Sequence, residues 1–144
     1  MPSFLTPARI LAIVTGLCLV AIAVLHLDIA SGYTAFGDRP FSIGDQFYAQ
    51  AVSGFVLTLV LIARPKWYVW AACAGFSALS LGALVYSRKN ALPVIGLPGG
   101  FMETWSAKHA KASAYYEVAA LVLSVLGLVM AKVPHGRAKT DSTV

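Results

Sequence analysis

The side chains able to do chemistry in this chain are few, and they sit where apolar runs begin or end. His26 and Asp28 close the first run, in "HLDIASGY". Asp45, Gln46 and Gln50 open the second, Tyr86 closes the third, and Tyr115, Tyr116 and Glu117 open the fourth. Glu103 and His109 fall in the connection before the fourth run, a loop position where both are expected to be solvated. Ionisable groups at membrane depth mark a functional site by default, because burying them in hydrocarbon is costly. At an interface that cost falls, since long side chains reach water. His26 is the deepest ionisable group of its run. It is expected to bond to Asp45, Glu117 or a carbonyl of the long connection. A His26–Glu117 pair fits either a satisfied structural bridge or a proton-responsive site. Gln46 and Gln50 lie one helical turn apart and suit interhelical hydrogen bonding as well as ligand contact.

Several chemistries can be weighed on spacing alone. His26, His109, Glu103 and Glu117 are the right residue types for zinc or iron, yet no H-x-x-x-H or E-x-x-H spacing joins them. A bis-histidine haem needs two facing histidines; His109 is in a connection and His135 in the tail, which leaves His26 alone. The two cysteines, Cys18 and Cys73, lie within apolar runs and read as small apolar fillers. Proton-coupled export wants an acid near the bilayer midplane, and Glu117 lies close to the start of its run. No cofactor is implied.

What must position these residues is a set of membrane-crossing helices. The chain has 144 residues, of which 58% are hydrophobic and 12% charged. Soluble domains carry about 25% charged residues. With a mean hydropathy of +0.75, the solvent of this chain is mostly lipid. The net charge of +5 does not point to nucleic acid, because the basic residues flank apolar runs and form no patch interleaved with aromatics. Four windows are long enough to cross: about residues 10–27, 47–63, 67–86 and 112–133. Helices are the only plausible spanning form for them, since alternating barrel segments are absent. The first run is expected to be a retained helix and not a cleaved signal, because Asp28 occupies a position where cleavage wants a small residue. The fold expected is an all-α, antiparallel four-helix membrane bundle over residues 1–133, with residues 134–144 a disordered polar tail.

The connections differ in kind. "ARPKW", residues 63 to 67, is a tight cationic turn. "ALPVIGLPGGF", in the connection before the fourth run, is too apolar for a free loop and is expected to fold over the bundle end as a lid. No Gly or Pro occurs between Gly100 and Gly127, so the fourth helix is expected to start near Met102. Lys and Arg divide six against five between the two sides, and the short cationic turn favours cytoplasmic termini. Small faces should join the helices: Ala12, Gly16, Ala23 and His26; Gln46, Gln50 and Ser53 or Gly54; Ala71, Gly75, Ala78 and Gly82; Ser113, Glu117, Ala120, Ser124, Gly127 and Ala131.

The chain resembles a family of small four-helix bacterial membrane proteins of actinobacterial type. The resemblance rests on His26, Leu27, Gly32, Tyr33, Ile43, Gly44, Phe47, Gln50, Ser87, Arg88, Gly96, Leu97, Gly99, Glu103 and Trp105. It covers most of residues 20 to 130, and the chain departs from it by the extra "SAKHAKASAYY" before the fourth run. The resemblance implies the four-helix architecture and draws attention to the lid end; it implies no reaction.

Together these readings lead to a non-enzymatic protein of the bacterial inner membrane, an accessory or stabilising subunit of a larger membrane complex. Its partners would be the lipid bilayer and other membrane subunits. The alternative is a binder of a small molecule or metal, or a minimal transporter, using His26, Asp45, Gln46, Gln50, Glu103, Tyr116 and Glu117 at the non-cytoplasmic end. A membrane enzyme using the same groups as acid and base is the third reading.

Overall fold

The computed structural model describes residues 6–132. The polar tail of 134–144 and the last residue of the fourth window lie outside them. Within them are four helices: α1 Pro7–Ala30, α2 Ile43–Ala63, α3 Trp67–Tyr86 and α4 Ala110–Lys132. A two-stranded sheet, β1 Leu92–Val94 and β2 Leu97–Phe101, separates α3 from α4. At 20 to 24 residues, each helix is about 30–36 Å long, enough to cross a bilayer core. All four are apolar enough to do so. Large apolar side chains such as Leu17, Leu59 and Leu79 point outward, as suits helices set in lipid.

Local chemistry sets the helix ends. Thr6 caps α1 by accepting from the Arg9 backbone N–H at 3.3 Å, with Pro7 in the first turn. Ser42 and Asp45 form a reciprocal capping box: Ser42 Oγ accepts from the Asp45 N–H at 3.1 Å, and Asp45 Oδ2 accepts from the Ser42 N–H at 3.3 Å. This starts α2 at Ile43, four residues before the expected window. Pro65 keeps α2 and α3 apart.

α1 packs on α2 and α4, and α3 packs on α4. The core holds Ala12, Leu19, Ile22, Leu61, Val69, Trp70, Cys73 and Ala120. Thr58 Oγ1 crosses from α2 to donate to the Gly16 carbonyl of α1 at 3.3 Å. Trp70 lies so close to Gly127 that a Cβ there would run into the indole ring. Gly127→Ala should therefore lower stability by about 1–3 kcal/mol, the usual cost of overpacking. Thermal unfolding in detergent measures it.

The faces of α1 and α4 match the expected stripes, apart from Ala131, which is exposed. That of α3 does not. Gly75, Ala78 and Gly82 face outward, and α3 buries Val69, Trp70, Cys73, Ser77 and Ser80 instead. At Trp70 the reason is the fit to Gly127: α4 supplies the small residue, so α3 can bury its indole ring beside Cys73, Ser77 and Ser80.

The long connection also departs from expectation. The apolar segment is a lid, and it is an antiparallel hairpin, pairing Leu92 with Phe101 and Val94 with Leu97. Gly96 turns it with φ +74°, beside the Asp38 carboxyl group, where no side chain fits. The Asp38 N–H donates to the Ile95 carbonyl at 2.8 Å, tying the hairpin tip to the first connection. α4 starts at Ala110, not near Met102. Between them Thr104 bonds locally to Ser106 Oγ and to Glu103 Oε1, which competes with helix formation. His109, at φ +66°, sets the final bend.

Candidate functional site

The hairpin covers a cavity of about 80 Å3 whose walls come from all four helices. Leu25, Phe47, Leu84 and Phe101 supply its apolar surface; His26, Gln50, Ser80, Ser113 and Glu117 supply its polar one. Counted along their helices, Gln50 and Glu117 are seven residues inside the start of α2 and α4, about 10 Å at 1.5 Å per residue. Ser80 lies six residues before the end of α3, at a similar depth.

Glu117 is 1% exposed. Ser80 Oγ donates to its Oε1 at 2.7 Å from α3, and Ser113 Oγ donates to the same atom at 3.0 Å from one turn earlier in α4. Both hydroxyls are thus spent on one oxygen. The other, Oε2, is buried without a hydrogen-bond partner, as is Gln50 Oε1. His26 is 6% exposed. Its Nδ1 lies 3.0 Å from the Ile22 carbonyl one turn back. A carbonyl only accepts, so Nδ1 carries the hydrogen, and Nε2 of the neutral ring is an acceptor. The ring packs against Phe47 at 5.2 Å. The expected partners of His26 are therefore replaced by its own helix, and no His26–Glu117 bond forms.

The rim is held by ion pairs and rings. Asp28 Oδ2 meets Lys108 Nζ at 2.6 Å and His109 Nε2 at 2.7 Å, so His109 is paired and lines the cavity mouth. Glu103 also lines the cavity; its backbone N–H donates to the Ser87 carbonyl at 3.1 Å. Neither is the freely solvated loop residue that its position suggests. Phe101 packs edge-on against Tyr33 at 5.7 Å and Phe36 at 5.8 Å. Arg88 lies over the Trp105 ring at 4.3 Å. Its three guanidinium nitrogens are buried without hydrogen-bond partners, and this burial pulls its pKa below the usual arginine value, against the opposing pull of Glu103 and Tyr33. The Trp105 ring face and the charge of nearby Glu103 both offset that burial. Trp105→Ala should free the segment, raising the rate of tryptic cleavage after Arg88 about tenfold, within the 0.5–2 kcal/mol of a cation–π contact.

Of the residues picked out from sequence, His26, Gln46, Gln50, Glu103 and Glu117 line this cavity. Gln46 does so from an exposed position, with its amide donating to the Phe41 carbonyl at 3.1 Å. Asp45 and Tyr116 are not among the lining residues. Asp45 caps α2 and pairs with Arg39 at 2.8 Å, which raises the arginine's pKa. Tyr116 is 42% exposed on the outer surface. It precedes Glu117 by one residue, about 100° around the helix, so the two cannot share the inward face. Sequence reasoning missed Ser80, Phe47, Phe101 and Lys108 as wall residues and left His109 in a solvated loop. For Ser80 the available signal was its hydroxyl, shared only with Ser77 in the 71–85 stretch of apolar residues and glycine. Among the described residues no group of three or more His, Cys, Asp or Glu is gathered closely enough to hold a metal ion. No family model, curated protein or solved structure matches the chain.

Proposed function

We propose that the protein is a non-enzymatic, multi-pass protein of the bacterial inner membrane that binds a small molecule in the lidded cavity. The four helices traverse the bilayer antiparallel with both termini cytoplasmic, which sets the hairpin on the opposite side. The observation that carries this reading is the cavity itself. Helices from every part of the chain contribute polar atoms to it, and two buried oxygens there, Glu117 Oε2 and Gln50 Oε1, lack partners. Buried polar groups without partners cost about 1–3 kcal/mol each, and a ligand that supplies donors recovers that cost. Apolar walls with a few convergent polar groups are the usual make-up of a small-molecule site.

Ala83 lines the cavity, and Ala83→Phe should fill it. Wild type purified in mild detergent should carry a small molecule in native mass spectrometry that Ala83→Phe lacks. Identical spectra from the two folded proteins would overturn the reading.

A second reading, an accessory subunit, is favoured by a different observation. Gly75 and Gly82 have open space where a Cβ would be, and with Ala78 they form an outward face of the type that packs helices in lipid. Gly75→Leu with Gly82→Leu should then strip a co-purifying subunit without lowering the melting temperature. Retention of the subunit would count against it.

A further inference from the structure

The atoms that ring the inner end of the cavity are acceptors. Glu117 offers Oε2 and Gln50 offers Oε1, both without partners, and His26 lines the same cavity with its Nδ1 turned to the Ile22 carbonyl. The hydroxyls of Ser80 and Ser113 are engaged, both donating to Glu117 Oε1, which leaves the Gln50 amide nitrogen as the donor on this wall. The cations at the mouth are engaged too, since Lys108 is held by Asp28 at 2.6 Å, with His109 on the same oxygen at 2.7 Å. A ligand carboxylate or phosphate would bring more acceptors to a place that already has too many. When Glu117 is ionised, no cation is bonded to it, only the two serine hydroxyls, and an uncompensated buried charge is costly. What is missing is a group with several N–H donors and a positive charge. Phe47, Leu84, Leu25 and Phe101 add that the remainder of the ligand is apolar.

We propose that the cavity takes a small protonated amine with an apolar body, its ammonium group bound to Glu117 Oε2 and Gln50 Oε1. This rests on the binding reading above and narrows it. An ammonium has three donors and no acceptor, enough for the two orphaned oxygens with one to spare. An aliphatic tail then lies along the Phe47 and Leu84 side, toward the hairpin.

The test uses the full chain purified in detergent and three probes of one chain length: n-butylammonium, n-butanol and butyrate, each at neutral pH. n-Butylammonium at ten times its dissociation constant should raise the melting temperature by about 3–5 °C. n-Butanol and butyrate should leave it unchanged, and Glu117→Gln should remove the ammonium effect. If Glu117→Gln does not fold, Ala83→Phe, which keeps the carboxylate and fills the space, should remove it instead. An equal shift with n-butanol overturns the amine assignment, and so does a larger shift with butyrate. If no probe moves the protein but wild type still carries a molecule that Ala83→Phe lacks, the amine assignment falls and the binding reading stands. If neither test responds, both fall.

Discussion

Glu117→Met should melt within about 1 kcal/mol of the wild type, or above it, while losing every response to n-butylammonium. The stability half follows from opposing terms of similar size. The carboxylate gains two charge-assisted bonds, from Ser80 at 2.7 Å and Ser113 at 3.0 Å, together worth about 3–6 kcal/mol at most. Against them stands the desolvation of a 1%-exposed carboxylate, several kcal/mol per ion even after relaxation. Methionine fills much the same volume and carries no charge. The two freed hydroxyls need not remain orphaned, since serines in helices readily turn to the carbonyl one turn back. Thr15 and Thr58 already do this in α1 and α2, bonding Leu11 and Gly54 at 2.8 and 2.9 Å. Glu117→Ala also loses volume and should melt about 2 kcal/mol or more below Glu117→Met. A group kept for binding is expected to trade stability in this way. Thermal unfolding with and without the amine measures both halves. A Glu117→Met protein far less stable than wild type would make the carboxylate a structural keystone and remove its case as a ligand group.

The helices were legible in sequence because hydrocarbon leaves so little choice. Long apolar runs between Lys, Arg and Pro punctuation place four spans within a few residues. The errors at their ends have local causes. α2 starts early because Ser42 and Asp45 cap it reciprocally, an S-x-x-D pattern present in the chain. α4 starts late because the hydroxyls of Thr104 and Ser106 and the positive φ of His109 break the segment before it. The hairpin was hidden by Pro93 and Pro98, residues that central strands exclude. A two-stranded sheet has only edges, where proline is tolerated. The face of α3 was misread because size alone was used to rank it. Small residues do mark helix contacts in lipid, but one small partner is enough, and Gly127 supplies it to Trp70.

The site was legible in part for the same reason. Glu117, Gln50 and His26 stand out because polar side chains inside spans are rare, and those three converge. Asp45 and Tyr116 satisfied the same rule of position along the chain and went elsewhere. Their destinations depend on angular placement around the helix and on Arg39, a partner in a loop. His109 could not be placed from spacing at all, because its partner Asp28 is on α1, 81 residues away.

Phe101→Ala should unlatch the lid without unfolding the helices. Phe101 is the buried end of β2, and its ring is what the hairpin inserts between Tyr33 and Phe36. Truncating a buried phenylalanine costs about 3–5 kcal/mol. The cost falls on a small unit, because the hairpin has few other holds: the Asp38–Ile95 and Glu103–Ser87 backbone bonds and the Arg88–Trp105 stack. Local opening draws on that unit's stability and not on that of the whole chain. The amides of Asp38, Glu103 and the β1–β2 ladder should therefore exchange about 100–4000-fold faster, at 1.4 kcal/mol per tenfold, while those of α1 to α4 keep their protection. Hydrogen exchange read by mass spectrometry resolves the two sets. Because Phe101 is also a cavity wall, the same variant should release a bound molecule faster than wild type does. Uniform acceleration across helices and hairpin would mean that the lid and the helices open as one unit, and a lid that cannot open alone cannot gate the cavity.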